Sequence, residues 1–244
     1  MRTLEKDCLK VKIFNSREEL GEAAATEIAV ELHRLLRTKE TVNVIFAAAP
    51  SQNETLAALC RKDIPWEKVN GFHMDEYCGL PAGSPQSFER YLREHIFDRV
   101  PFGNVSYIGA YGERYEELIR QTPIDVVCMG IGENGHIAFN DPGEADFHDP
   151  RLLKRVQLDE VCRMQQVHDG CFATLDEVPK EAYSLTVPAL MSAGRLFCMV
   201  PGETKRNAVR RTVYDPVSEA VPATALRLHP AATLYCDRDS GRDL

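Results

Sequence analysis

The segment 124–143, "IDVVCMGIGENGHIAFNDPG", decides the fold because it joins a short apolar run to a loop rich in glycine and polar residues. The run Val126–Met129 is continuously apolar, which indicates a strand buried on both faces of a sheet. The loop after it carries an ionisable histidine, His136, and a carboxylate, Asp141. Ligands collect beyond the carboxyl ends of parallel strands, so the segment predicts both a parallel sheet and the location of a site.

Apolar strands alternate with amphipathic helices along the rest of the chain. This pattern predicts an α/β fold, a Rossmann-like three-layer sandwich around a mostly parallel sheet, in one domain that spans residues 1–244. Ser16 and Ser84 are the predicted N-caps of two helices, the second with Pro85 at its first position. The other predicted strands are 11–16, 42–49, 69–77, 154–158, 183–187, 195–200 and 232–237, and the predicted helices are 17–38, 53–62, 84–97, 114–121 and 203–214.

Four segments directly follow apolar strands, and the carboxyl ends of parallel strands meet at one edge of a sheet. We therefore expect these segments to lie together at that edge. They are residues 49–53, 74–77, 130–141 and 201–205.

Composition narrows the class of partner. The chain has 244 residues, a net charge of −8 and a pI of about 5.4, which argues against nucleic acid or an anionic membrane as a partner. No apolar run has the length of a membrane span, and the N-terminal residues do not resemble a signal peptide. The eight cysteines form no C-x-x-C pair and are expected mostly as buried thiols, which suits a reducing cytoplasm.

Two acids, Asp75 and Glu76, follow a predicted strand. Acids in this position usually face solvent or cap the next element, so alone they indicate little. His136 with Asp141 nearby is a stronger signal, because a carboxylate fixes the tautomer of an imidazole and favours its charged form. With Asp75 at the neighbouring strand end, the pattern predicts general acid–base chemistry. His73 lies inside the strand and is interpreted as structural.

Ser51 and Lys205 each lie where a predicted strand passes into a helix. The helix dipole disfavours a lysine near a helix N-terminus unless an anion lies between them, so Lys205 indicates a phosphate site. The alternative is an ordinary surface lysine. Ser51 lies in "APSQNE" (49–54), which is not a P-loop, so no nucleoside triphosphate is predicted. Gly130, Gly132 and Gly135 have the spacing of a dinucleotide loop, but the residues after them do not suit one.

Two long motifs, "FHMDEYCGLPAGSPQSF" (72–88) and "MGIGENGHIAFNDPG" (129–143), resemble the glucosamine-6-phosphate deaminase (isomerase) family. Shorter matches follow in the family's order: "VPKEAYSLTVPAL" (178–190), "VPGETKRNAV" (200–209) and "ALRLHPAATLYCD" (225–237). The resemblance covers nearly the whole chain and implies the modified Rossmann-like fold of that family. The related 6-phosphogluconolactonases share the fold but lack "MDEY".

The resemblance implies conversion of glucosamine 6-phosphate and water to fructose 6-phosphate and ammonia. His136 matches the histidine that opens the sugar ring, and Asp75 matches the base that moves a proton from C2 to C1. Asn134 and Asp141 flank the histidine in the same motif. Ser51, Gln52, Lys205 and His168 are the expected phosphate-binding residues, and Glu76, Gly132 and Gly135 are expected in the substrate-binding loops. The resemblance implies no metal and no organic cofactor.

This chain departs from the family's pattern at two positions of the histidine loop. The family's usual aspartate two residues before the histidine is Asn134, which we expect to orient the ring by accepting a hydrogen bond, and its usual glutamate is Asp141. An arginine that usually joins the phosphate site has no clear match, and His168 is its candidate replacement.

Two other functions remain open from the sequence: a 6-phosphogluconolactonase, in which His136 activates water, and a non-catalytic phosphosugar-binding homologue. The resemblance also allows for a homo-oligomer.

Overall fold

Parallel strands dominate the computed structural model, which describes residues 1–81, 83–158, 160–168 and 170–244. The strands are β1 (Arg2–Lys6), β2 (Leu9–Ile13), β3 (Val42–Phe46), β4 (Val69–His73), β5 (Asp75–Tyr77), β6 (Asn104–Ser106), β7 (Val126–Met129), β8 (Leu153–Gln157), β9 (Glu181–Leu185), β10 (Arg195–Val200) and β11 (Ala232–Cys236). The α-helices are α1 (Arg17–Leu36), α2 (Asn53–Leu59), α3 (Phe88–Leu92), α4 (Ile108–Tyr111), α5 (Tyr115–Gln121), α6 (Glu160–His168), α7 (Val187–Met191) and α8 (Arg206–Tyr214).

The main sheet has the strand order β1-β2-β11-β10-β7-β3-β4-β6. Strand β1 pairs antiparallel with β2, and all the other pairs in this sheet are parallel. The predicted mostly parallel sheet is therefore confirmed. Strand β7, which carries the decisive apolar run, lies between β10 and β3 near the middle of the sheet.

Successive residues of the central strands pack into two separate hydrophobic cores. In β7, Val126 and Cys128 face one core, whereas Val127 and Met129 face the other. Helices α1, α2 and α3 cover the first face, and α5, α7 and α8 cover the second. Side chains alternate between the faces of a strand, so a continuously apolar strand indicates a sheet covered on both sides. The predicted three-layer α/β sandwich is confirmed, and one domain over 1–244 stays a prediction.

A second, antiparallel sheet has the order β5-β9-β8, which the sequence did not predict. Strand β5 begins two residues after β4 ends, with only Met74 between them. The backbone N–H of Leu185 in β9 donates to the carbonyl of Met74 at 3.0 Å, so this small sheet is attached directly to the end of β4. The predicted strands 154–158 and 183–187 belong to this second sheet.

One of the two predicted N-caps is confirmed. The hydroxyl of Ser16 accepts from the backbone N–H of Glu19 at 3.2 Å and starts α1. The Ser84 prediction is wrong, because Ser87 caps the helix, which begins at Phe88. The backbone N–H groups at that point are held by the carboxylate of Glu76, which fixes the helix start there. Among the described residues, no helix is long and apolar enough to cross a membrane.

Candidate active site

All four predicted segments at the edge of the sheet line one cavity of about 320 Å³. Five of the sequence-predicted site residues lie on its wall: Ser51, Asp75, Gly132, His136 and Lys205. The other predicted residues, which are Gln52, Glu76, Asn134, Gly135, Asp141 and His168, lie behind the wall or away from it. Parallel strand ends therefore bring together residues that are more than 150 positions apart in the sequence.

Asp75 is the first residue of β5 and is 7% exposed. Burial raises the pKa of its carboxyl group well above the ordinary value, and the nearby charge of Glu76 raises it further. Both effects disfavour the charged form. Asp75 is thus a carboxyl group that binds a proton more readily than an ordinary aspartate does.

Glu76 does not line the cavity, which corrects its predicted place in a substrate-binding loop. Its carboxylate accepts from the backbone N–H groups of Tyr77, Phe88 and Glu89 at 2.8, 3.1 and 2.9 Å. Neighbouring residues of a strand point to opposite faces, so Glu76 points towards the start of α3 while Asp75 points into the cavity. Its contacts are those of a helix cap.

His136 lines the cavity and contacts Asp141 behind it. Its Nδ1 lies 3.0 Å from Oδ1 of Asp141, although the contact is bent away from an ideal hydrogen bond. Asn134 Nδ2 donates to the same Oδ1 at 2.7 Å. Asn134 Oδ1 accepts from the backbone N–H of His136 at 3.0 Å, so Asn134 does not contact the ring as expected, but holds the loop and the carboxylate.

Asp141 is 2% exposed, and its pKa reflects two opposing causes. Burial raises the pKa, but the hydrogen bond and positive charge of His136 lower it, as do hydrogen bonds from Asn134 and the thiol of Cys162. The pKa of Asp141 is lowered overall. Asp141 is therefore suited to remain an anion behind the imidazole ring.

Two glycines shape the histidine loop. A Cβ at Gly132 would lie 2.1 Å from Cε1 of His136, so only glycine lets the ring pack against this part of the wall. Gly135 has a φ of +93° and makes the turn before the histidine. Gly135 does not line the cavity, and its contribution is to the backbone rather than to a ligand.

Ser51 and Lys205 lie on the same wall, whereas Gln52 does not. The Gln52 side chain is fully buried, and its amide donates to the carbonyls of Met129 and Met199 at 3.1 and 3.3 Å. Gln52 therefore ties the ends of β7 and β10 together, and its predicted contact with phosphate stays a prediction. Lys205 is 7% exposed, in a short 3-10 turn just before α8.

Arg17 also lines the cavity, and the sequence analysis missed it. It is the first residue of α1. Its guanidinium is held by both carboxylate oxygens of Glu54, at 2.9 and 3.2 Å, and by the carbonyl of Pro50 at 3.0 Å. A basic residue at the first position of a helix opposes the helix dipole, which is the signal that identified Lys205 and would have identified Arg17.

His168 does not line the cavity, so the structure does not place it with Ser51 and Lys205. It is the last residue of α6, its side chain is 60% exposed, and its Nδ1 lies 4.0 Å from Glu133. The preceding residues Gln165 and Gln166 do line the cavity, and neither was predicted. Tyr77 donates to Gln166 Oε1 at 2.7 Å, and the N–H of Glu133 donates to Gln165 Oε1 at 2.9 Å.

Comparison with known proteins identifies the family. The model of the family described as glucosamine-6-phosphate isomerases/6-phosphogluconolactonase matches residues 15–235. The chain belongs to this family. It is 32% identical over 217 residues to a glucosamine-6-phosphate deaminase of Lactobacillus helveticus, a match that covers 84% of this chain and 87% of the relative. It is 32% identical over 225 residues to a deaminase of Listeria monocytogenes, covering 89% and 94%.

Solved structures of the family support the same fold. A monomeric glucosamine-6-phosphate deaminase superposes with a TM-score of 0.85 at 27% identity, covering 95% of this chain and 98% of that one. A 6-phosphogluconolactonase from Thermotoga maritima superposes with a TM-score of 0.74 at 21% identity, covering 93% and 98%. The second likeness shows the fold alone.

Within this family fold, the cavity combines two kinds of chemistry. The wall carries a carboxyl group with a raised pKa, Asp75, and an imidazole backed by a carboxylate, His136. It also carries two cationic side chains, Arg17 and Lys205, and a hydroxyl, Ser51. The first group can transfer protons, and the second can bind an anion.

Proposed function

We propose that this protein converts glucosamine 6-phosphate and water to fructose 6-phosphate and ammonia. The observation that carries the proposal is that Asp75 and His136 line the same cavity as Ser51, Arg17 and Lys205. A phosphorylated aminosugar needs both parts of such a cavity, because its phosphate must be held while protons move at its other end. The deaminases related to this chain support the same reaction.

Arg17, Ser51 and Lys205 bind the phosphate in this proposal. Two positive charges and a hydroxyl suit a phosphate dianion, and Arg17 is held in position by Glu54. Binding energy from the phosphate orients C1 and C2 of the sugar towards the proton-transfer groups. The family usually has an arginine in the phosphate site, and this chain has no clear match to it in sequence. In this proposal Arg17 supplies that guanidinium from a different part of the chain.

His136 opens the pyranose ring by moving the proton of the C1 hydroxyl to the ring oxygen O5. Opening requires a group that accepts one proton and donates another, which imidazole does near neutral pH. Asp141 lies against Nδ1 of the ring and holds it in position, and Asn134 holds Asp141. Asn134 and Asp141 are positioning residues, because they act through His136.

Asp75 then moves a proton from C2 to C1 of the open-chain sugar. As a carboxylate it removes the C2 proton while the ammonium group at C2 gives a proton to the aldehyde oxygen, which produces an enolamine. As a neutral acid it then returns the C2 proton to C1, which gives an iminium at C2. Water adds to the iminium carbon and ammonia leaves, which produces the ketone of fructose 6-phosphate. A raised pKa brings the two forms of Asp75 closer in free energy near neutral pH, which suits a group used in both.

The variant Asp75→Asn tests the proposal. We expect ammonia release from glucosamine 6-phosphate to fall by about 100- to 10,000-fold, the usual contribution of a general base. Fructose 6-phosphate should still bind, as measured by calorimetry, because the phosphate-binding residues are unchanged. Lys205→Gln is the matched control and should weaken that binding. Normal turnover by Asp75→Asn would show that the base is misassigned.

Acid release from 6-phosphogluconolactone, measured in the same experiment, separates the deaminase from the lactonase. Tight binding of fructose 6-phosphate without turnover of either substrate would instead indicate a non-catalytic phosphosugar-binding homologue. The cytoplasmic location and a homo-oligomer stay predictions.

A further inference from the structure

A thiol lies directly behind the proposed proton-transfer histidine. Cys162, in α6, is 1% exposed and hydrogen-bonds to the carboxylate of Asp141. One ligand atom from each of Cys162, Asp141 and His136 lies within 4.8 Å of the other two. Cys162 does not line the cavity, and the proposed reaction uses no thiol, so its position behind His136 needs another explanation.

The three side chains offer a donor set that suits a transition metal. A thiolate, an imidazole nitrogen and a carboxylate oxygen are the ligands that zinc takes in proteins, whereas magnesium and calcium prefer oxygen ligands alone. His136 is 7% exposed, and its Nδ1 is buried without a well-formed hydrogen bond, although it lies 3.0 Å from Asp141. Nδ1 of His136 therefore lies next to Asp141 and Cys162 and is available as a metal ligand. The three residues His136, Asp141 and Cys162 are called the cluster below.

We propose that His136, Asp141 and Cys162 form a binding site for a divalent transition metal such as Zn²⁺, and that its occupation inhibits the enzyme. The inhibitory part of this inference rests on the proposed function. On binding, the thiol of Cys162 loses its proton to solvent, the carboxylate of Asp141 binds as the anion, and neutral His136 binds through Nδ1. In the free neutral ring the single proton is on Nδ1, so on binding this proton is released to solvent while Nε2 takes one from water in the cavity, and the ring keeps one proton, now on Nε2. Because His136 lines the cavity, water from the cavity can complete the coordination.

Metal binding at Nδ1 prevents the proton transfer assigned to His136. The free ring accepts a proton at Nε2 while its Nδ1–H faces Asp141. With the metal on Nδ1, the lone pair of Nε2 is already protonated and the ring has no acceptor left. The ring also loses Asp141 as the carboxylate that holds it in position. Ring opening of the sugar should therefore stop while the phosphate end of the cavity remains intact.

The test uses Co²⁺ as a spectroscopic substitute for Zn²⁺ on the purified full chain. A thiolate bound to cobalt gives a near-ultraviolet charge-transfer band, which we expect in the wild type and expect Zn²⁺ to abolish by competition. The band should be lost in Cys162→Ser and in His136→Asn. Cys171→Ser is the matched control, because this neighbouring cysteine lines the cavity but is not in the cluster, and its variant should keep the band. Circular dichroism confirms that each variant is folded.

Activity is measured separately, as the ratio of ammonia release with Zn²⁺ to that with a chelator. We expect Cys162→Ser to raise the Zn²⁺ concentration for half inhibition at least about tenfold, since even indirect partners of a metal contribute that much. Mg²⁺ at equal concentration should have no effect. Absence of the band in the wild type, or its survival in Cys162→Ser, would overturn the site. A band without inhibition would overturn the inhibitory role, and a wild type with no deaminase activity would refute the proposed function while the cobalt spectrum still decides the site.

Discussion

Asp75 is a buried carboxyl group, and its pKa is raised by burial and by the charge of Glu76. The folded protein therefore holds this proton to higher pH than the unfolded chain does. Between the ordinary value of 3.8 and the raised pKa, the free energy of unfolding falls as the pH rises, because the unfolded chain releases its proton there while the folded protein keeps it. The group that the proposed reaction needs is thus destabilising at neutral pH.

We expect Asp75→Asn to be more thermally stable than the wild type at neutral pH, because the amide has no charge to bury. The gain should grow as the pH rises from 4 towards 8, since only the wild type has the titrating group. Thermal unfolding of both proteins across this range measures the difference. A gain that is the same at every pH would contradict the raised pKa, whatever the variant does to turnover.

At the residue scale, the sequence could predict which segments meet but not which of two neighbours faces the cavity. Asp75 and Glu76 are equally acidic and equally buried, and only the strand register of β5 separates the base from the helix cap. Ser51 and Gln52 lie in one short 3-10 turn, and only the folded structure shows that Ser51 faces the cavity whereas Gln52 ties two strand ends. Arg17 was not predicted because the four segments expected at the sheet edge did not include the one that follows the first predicted strand, residues 11–16.

The carboxylate of Glu76 supports the start of helix α3 together with the N-cap Ser87. Three backbone N–H groups donate to this carboxylate, and a negative charge at a helix N-terminus is favoured by the helix dipole. We expect Glu76→Ala to lower the free energy of unfolding by about 2–4 kcal/mol, because buried donors lose their acceptor. Denaturant unfolding measures this loss.

Glu76→Gln is the matched variant. Its free energy of unfolding should fall by only about 1–2 kcal/mol, because its amide oxygen can still accept from some of the three backbone N–H groups. The affinity of Glu76→Gln for fructose 6-phosphate should stay within about threefold of the wild type, since Glu76 does not line the cavity. If Glu76→Gln instead bound fructose 6-phosphate much more weakly with little loss of stability, Glu76 would contact the substrate, as the sequence predicted.

At the element scale, β3, β7, β10 and β11 could be predicted because each is a largely apolar run. Strand β2 was predicted from its alternation, and β1 and β6 were not predicted. The second sheet could not be predicted, since an apolar run such as the predicted strand 183–187 does not reveal which sheet it joins. Helix α6 was missed because "EVCRMQQVH" (Glu160–His168) has few apolar residues and no clear cap signal. That helix supplies Gln165 and Gln166 to the cavity and Cys162 to the cluster behind it.

At the scale of the whole molecule, His73 links global unfolding to pH. It ends strand β4 and is fully buried, with Glu76 3.9 Å from its Nε2. Neither of its ring nitrogens has a hydrogen-bond partner among the residues that the structure describes. Burial lowers its pKa from 6.5 to about 3. The histidine thus stays neutral in the folded protein, as expected for the structural residue that the sequence analysis predicted.

The lowered pKa makes folding depend on pH in a defined window. The unfolded chain binds a proton at His73 below pH 6.5, whereas the folded protein binds it only near pH 3, so stability is complete above 6.5 and is lost as the pH falls through this interval. Each pH unit costs about 1.4 kcal/mol. We therefore expect the wild type to lose about 2 kcal/mol between pH 8 and pH 5 through this residue.

His73→Leu should lack this part of the acid sensitivity. The free energy of unfolding of both proteins is measured in denaturant at pH 8 and pH 5. The change between the two pH values in the variant is then subtracted from that in the wild type, so that the effect of altered packing at position 73 cancels. His148→Leu, at an exposed histidine, controls for the removal of a histidine as such. If His73→Leu and the wild type lose the same free energy between the two pH values, the ring of His73 must be able to take up its proton inside the fold, and the burial argued for the end of β4 is wrong.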